Sequence, residues 1–237
     1  MNTICVMCEG STEVSFVKSV LSEYLQGRIT FIAKTFVTSS NHKTGSVNKG
    51  GIPSYISVKN QIINTIRTSS CDYVTTMIDY YGLRKDFPGN DNKAENDSVS
   101  IYNKIDFLEN EFNKDIETSI NQYNVRTKFF SYFQLHEFET LLYSDLDKLQ
   151  EVEPEWCDKE IIKLKESIKQ YNNIELINDS PDTAPSKRLK NAFSNTKYSK
   201  TTHSNLIIKS IGIDNIREKC KHFNQWLDKI ESITQSM

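Results

Sequence analysis

No stretch of this 237-residue chain approaches the roughly 20 consecutive apolar residues that a membrane-crossing helix needs. The opening MNTICVMCEG carries an apolar run too short for a secretory leader. These absences predict a soluble, cytoplasmic protein with no membrane partner. Cysteine is scarce: Cys5, Cys8, Cys71, Cys157 and Cys220 are odd in number and scattered, which excludes a disulfide framework and fits a reducing compartment. Cys5 and Cys8 have redox-motif spacing but lie inside an apolar run rather than on a turn opening a helix, so they read as thiols packed in or beside a strand. Net charge is nearly absent, with 29 basic against 31 acidic residues and a formal charge of −2. The overall balance therefore marks no nucleic-acid binder, although a local basic groove fits inside a neutral total. There is no phosphate-cradling loop of the Walker type and no dinucleotide glycine fingerprint, so any ATP used must be hydrolysed by another polypeptide. What is present is enough apolar and aromatic material, 37% and 11%, for one large domain or one domain with an appendage.

TICVMC (3–8) reads as a buried strand, closed by Glu9 and Gly10. In STEVSFVKSVLSEYL (11–25), Val14, Val17, Leu21 and Leu25 recur at helical spacing. RITFIAKTFV (28–37) is a second strand, and the polar stretch from Thr38 to Gly51 reads as a flexible loop. Ile56, Ile62, Ile63 and Ile66 predict a helix over 55–68, which leads into a third strand, CDYVTTMID, ending at Asp79. Ile101, Ile105, Leu108, Phe112 and Ile116 form the stripe of a long helix. An aromatic strand, RTKFFSYFQL, then stops at His136 and Glu137. Such alternation predicts an α/β fold with a mostly parallel, Rossmann-like sheet flanked by helices, because right-handed crossovers return each helix to the sheet. Beyond that the runs are helical, including a single final helix bearing Ile216, Cys220, Phe223, Trp226, Leu227 and Ile230 on one side. The expected organisation is an α/β core over 1–145 with a helical subdomain over 146–237.

In a parallel sheet the residues following the carboxyl ends of different strands gather along one edge, where open α/β folds place their sites. Glu9 follows the first strand, Asp79 ends the third, and Glu137 follows the fourth. A carboxylate cluster is costly through repulsion unless a cation or a shared proton relieves it. Oxygen ligands without a Cys or His set suit Mg²⁺ or Mn²⁺ rather than Zn²⁺. Glu13, one turn into the first helix, and Glu139, two residues beyond Glu137, add to the acidity. Glu13 also suits the helix dipole, and His136 reads either as a base or partner at the site or as a structural strand-end histidine.

EGSTEVSFV (9–17), MIDYYGLRKDFPG (77–89), LHEFETLLY (135–143), INDSPDTAPSKRL (177–189) and CKHFNQWL (220–227) together resemble the bacterial family called domain of unknown function 4276, over nearly the whole chain. That family is similar to the Toprim superfamily of topoisomerase and primase catalytic domains and of nucleases associated with anti-phage ATPases. The resemblance implies a Toprim-like sheet with an acidic Mg²⁺ site in which Glu9 and Asp79 are ligands. Tyr81 stands where the Toprim pattern carries a second aspartate, so either Glu137 or Glu139 supplies that ligand or the metal is held more weakly. Lys221 stands where the family pattern has a proline before His222.

In TAPSKRL, Pro185 suits a first helical turn, Ser186 can satisfy free amides, and Lys187 and Arg188 sit beside the helix start as a phosphate clamp. Lysines of the 38–51 loop, with Arg84 and Lys85, would extend a groove that tracks a nucleic-acid backbone. The expected function is a Mg²⁺-dependent nuclease acting on DNA or RNA, an effector of anti-phage defence or a toxin system. Glu9, Asp79 and Glu137 or Glu139 would hold the metal, and Glu9 or Glu13 would act as base. The alternative is a non-catalytic, degenerate Toprim-fold partner that binds an ATPase or a nucleic acid.

Overall fold

The computed structural model describes residues 1–40, 47–49, 51–90, 100–121, 123, 127–177 and 182–234, without the side chains of 39, 40 and 47–49. The lysines expected to line a groove from the 38–51 loop lie outside the described side chains. The chain forms two compact units, Met1–Phe133 with Ile233 from the far end, and Gln134–Ser232. No described helix is long and apolar enough to cross a membrane.

The first unit is built on a sheet in the order β2-β1-β5-β6, with β7 also paired to β5. Strand β1 (Asn2–Cys8) is central, parallel to β2 (Ile29–Thr35) on one side and to β5 (Tyr73–Asp79) on the other. β5 in turn pairs in parallel with β6 (Lys128–Phe130). The middle strands are flanked on both edges, so β1 is buried from Ile4 to Cys8 and β5 from Val74 to Ile78, without polar alternation. The fold class is α/β, with a mostly parallel sheet flanked by helices and a helical C-terminal region.

Four local readings are corrected. The first helix is not uniform: α1 (Ser11–Phe16) passes through a π turn, Val17–Leu21, into α2 (Ser22–Tyr24). Ser22 Oγ donates to Val17 O at 2.8 Å, five residues back, where the ladder widens. The stretch expected as loop carries a two-stranded antiparallel pair, β3 (Val37–Ser40) and β4 (Val47–Lys49). The expected fourth strand splits into β6 and β7 (Phe133–Gln134). At that break Thr76 Oγ1 donates to Tyr132 O at 3.0 Å and accepts Tyr132 N–H at 2.9 Å, so a side chain replaces two ladder bonds. Helices α3 (Tyr55–Thr68) and α4 (Ile101–Ile120) follow their apolar stripes, with Val58, Ile62 and Ile66, and Ile105, Leu108, Phe112 and Ile116, buried.

The second unit opens on a seven-residue 3₁₀ segment, Phe138–Ser144, whose side chains from Phe138 to Tyr143 are buried. Around it lie the short α5 (Leu149–Val152), α6 (Asp158–Ile168), α7 (Pro185–Ala192) and α8 (Lys200–Ile211). The expected single final helix is two, α9 (Ile213–Lys219) and α10 (Lys221–Ser232), broken at Cys220. The break lets a buried carboxylate reach the new helix start: Glu175 accepts the N–H of His222 at 3.0 Å and of Phe223 at 3.1 Å.

Candidate functional site

Glu9 continues β1 by one residue, its N–H donating to Met77 O at 3.0 Å. That bond brings it beside the end of β5, where Glu9 Oε2 accepts the N–H of Asp79 at 3.1 Å. Two acids separated by 70 residues thus stand together at the carboxyl edge of adjacent parallel strands, where Asp79 Oδ1 is shielded from solvent.

Two glycines flank these acids. Gly10 has extended backbone (φ −139°, ψ −176°) that any residue adopts, so its role is spatial: a Cβ there would lie 2.9 Å from Glu13 Oε2. Gly82 closes the 3₁₀ turn Tyr80–Gly82, and a Cβ on it would lie 3.7 Å from Glu9 Oε1. Glu13, in the first turn of α1, is only 3% exposed. Burial first, and the neighbouring Glu13 second, push the Cys8 thiol well above its ordinary range. This marks the strand end as both apolar and negative. Glu9 and Asp79 bring carboxylate oxygens, hard donors of the kind that Mg²⁺ or Mn²⁺ takes, to one strand edge, with Glu13 following in the first turn of α1; as they stand, the three do not close into a ready three-ligand group. Tyr81 is 42% exposed on the turn after Asp79.

The loop after Asp79 is pinned by its own motif. Phe87 is buried against Tyr55, Phe112 and Phe133, with ring centroids 5.1, 5.7 and 6.1 Å away. Asp86 accepts the Tyr55 N–H at 3.0 Å, capping α3, and pairs with Arg84 at 3.4 Å. Gly89 takes φ +76°, and a Cβ there would sit 2.8 Å from the Phe107 ring. Asp-Phe-Pro-Gly is therefore an anchor that fixes the turn over the acids. Arg84 and Lys85 are exposed on this loop.

The remaining candidates belong to the second unit. His136 is nearly buried and takes φ +60°, the left-handed region, which turns the chain from β7 into the 3₁₀ segment. Both Glu137 oxygens are engaged: Oε2 accepts Ser186 N–H at 2.9 Å and Oε1 accepts the Ser186 hydroxyl at 3.1 Å. A carboxylate of the protein itself thus occupies the start of α7, where sequence reasoning placed a phosphate. Lys187 is exposed. Arg188 points inward, donating from Nε to Thr183 O at 2.6 Å, from Nη1 to Ser167 O at 2.7 Å and from Nη2 to the Tyr171 hydroxyl at 3.2 Å. Its fork ties α6 to α7.

Glu139 has no exposed surface and pairs with Lys200 Nζ at 3.0 Å through Oε2. Burial raises its pKa, Lys200 pulls it down, and the net direction is up. Burial likewise lifts the phenols of Tyr143, whose hydroxyl donates to Pro185 O at 2.9 Å, and Tyr198, with the two glutamates adding to the effect.

Sequence reasoning missed Lys200 and Glu175, because nothing local distinguishes a lysine at one helix start or a glutamate in a short 3₁₀ turn. Lys221 is the first residue of α10, a position in a helix that accepts proline well. Neither a curated protein nor a solved structure matches the chain. The family model for domain of unknown function 4276 matches residues 8–231, and the chain belongs to that family.

Proposed function

We propose that the chain is a Mg²⁺- or Mn²⁺-dependent phosphoryl-transfer enzyme, a nuclease effector of a bacterial anti-phage defence or toxin system. The observation that carries this reading is the meeting of Glu9 and Asp79 at the carboxyl edge of β1 and β5, with the buried Glu13 in the first turn of the helix that follows β1. The nuclease and defence context rests on the resemblance to Toprim nucleases. Glu9 and Asp79 would hold the metal, with Glu13 as third ligand or as the base that takes a proton from water. A bound divalent ion supplies charge neutralisation at the scissile phosphate and a more acidic water. The Asp79 N–H fixes the Glu9 carboxylate, so this ligand is oriented before any substrate arrives. Glu137 and Glu139 are engaged by Ser186 and Lys200, and this reading gives them a supporting part in the second unit.

One observation favours a second reading. The inward fork of Arg188 and the Glu137-capped start of α7 leave exposed Lys187 as the remaining member of the expected phosphate clamp. A non-catalytic partner, binding an ATPase or a nucleic acid through a Toprim-like fold, needs no such clamp, and Tyr81 fits it.

Isothermal titration of Mn²⁺ and Mg²⁺ into wild type, Glu9→Gln and Asp79→Asn, alongside cleavage assays on DNA and RNA, separates the two. Metal binding and cleavage in wild type, both lost in variants with unchanged circular dichroism, support the nuclease. An absence of metal binding at millimolar concentration overturns it in favour of the partner reading.

A further inference from the structure

The first unit also carries a solvent-open cavity of about 560 Å³ at the carboxyl ends of β1 and β2. Ser57, Gln61 and Asn64 line it from α3, at positions i, i+4 and i+7 on one face, while Val58, Ile62 and Ile66 bury the other stripe. Lys34, next to last in β2, lines it too, and Met7 and Val37 contribute apolar surface. No acidic residue is among its lining.

The cavity is held in shape by side chains already committed. Gln61 Oε1 accepts the Val37 N–H at 2.9 Å, and its Nε2 donates to Val37 O at 3.0 Å, so the helix grips the start of β3 as another strand would. Thr65 Oγ1 reaches Met7 Sδ at 3.7 Å. Two other groups are left to act on a ligand. Among the described residues Lys34 pairs with no carboxylate and the Asn64 side chain makes no hydrogen bond.

From this we infer that the cavity binds a nucleoside monophosphate or the equivalent unit of a nucleic acid. Lys34 supplies the charge that a phosphate requires, in a lining without acids to oppose it. The Asn64 amide offers both a donor and an acceptor, which suits the edge of a base or a sugar hydroxyl. Val37 gives an apolar wall for the base, with the nearly buried Met7 behind it. A volume of about 560 Å³ lies within the range of small-molecule sites and far exceeds that of a lone phosphate. Met7 precedes Glu9 by two residues, about 7 Å along an extended chain, so the cavity lies at the same end of β1 as that carboxylate. The site stands whether or not those carboxylates hold a metal.

The test is calorimetric titration of AMP, CMP, GMP and UMP into the full chain in EDTA, which silences any metal site and keeps this result separate from the nuclease reading. Saturable binding is expected, weakened about tenfold or more by Lys34→Ala and abolished by Asn64→Trp, which fills the cavity. Both positions are exposed, and circular dichroism verifies that the variants fold. Nucleosides without phosphate, and inorganic phosphate alone, should each bind more weakly than the nucleotide. The inference is overturned by an absence of saturable nucleotide binding at millimolar concentration, by binding unchanged in both variants, or by inorganic phosphate binding as tightly as the nucleotides.

Discussion

A methyl group on Gly10 would meet Glu13 Oε2 at 2.9 Å. Because Glu13 is nearly buried, its carboxylate has little room to swing aside. Gly10→Ala is expected to fold with a loss of about 1–3 kcal/mol, measured by urea denaturation in EDTA, and to weaken Mn²⁺ binding in a titration. A variant with unaltered stability would mean that Glu13 relaxes freely. Glu139 makes a second prediction at this scale, on pH. Its folded pKa is raised above the ordinary value near 4.5 by burial, against the pull of Lys200. Below 4.5 both folded and unfolded carboxyls hold the proton, and the contribution to stability is fully present. As pH rises through the raised folded value, the unfolded chain releases its proton first and that contribution is lost. Glu139→Gln removes this dependence, so the stability of the variant relative to wild type should climb from pH 4.5 upward. A flat difference across denaturation curves would show that Lys200 compensates the burial fully.

Among the elements, two carboxylates act as caps for helices distant in sequence. Glu137 serves α7 through Ser186, and Glu175 serves α10 through His222 and Phe223. Each takes the place of a capping side chain within the helix's own sequence. Glu175→Ala leaves two buried N–H groups without their acceptor and should cost about 2–4 kcal/mol in chemical denaturation. Glu175→Gln keeps one acceptor oxygen and should recover part of that loss. If both variants matched wild type, water would have to reach the α10 start. Neither carboxylate was legible as a cap, since spacing rules for capping look three residues ahead, and these partners lie 49 and 47 residues away.

For the molecule as a whole, the first unit is discontinuous. It takes Ile233, 7% exposed, from beyond the second unit, and Ile233 O accepts a hydrogen bond from the Asn2 side chain at 3.0 Å. Ile233→Ala should therefore destabilise the unit that holds the acidic edge, by about 2 kcal/mol or more. Hydrogen exchange should register the loss in β1, although the substitution is 225 or more residues away in sequence. Protection lost only near the substitution would oppose this assignment. An architecture of this kind was half legible. The alternation of strands and helices announced a parallel sheet, whereas the return of the last residues to the first unit depends on a long-range contact with no local signature.

The sequence by itself determined the strands β1 and β5, the helices α3 and α4, and the location of Glu9 and Asp79 at strand ends, because burial on both faces and helical periodicity are written in local residue order. Only the tertiary structure decided which polar groups are spent and which remain to act. Arg188 reads as a phosphate ligand in TAPSKRL and is consumed by carbonyls of α6 and the preceding loop. Lys34, unremarkable in ITFIAKT, lines a cavity in which no acid opposes it. The physical reason is that hydrogen bonding and charge pairing depend on distances of about 3 Å, set by chain segments far apart in sequence.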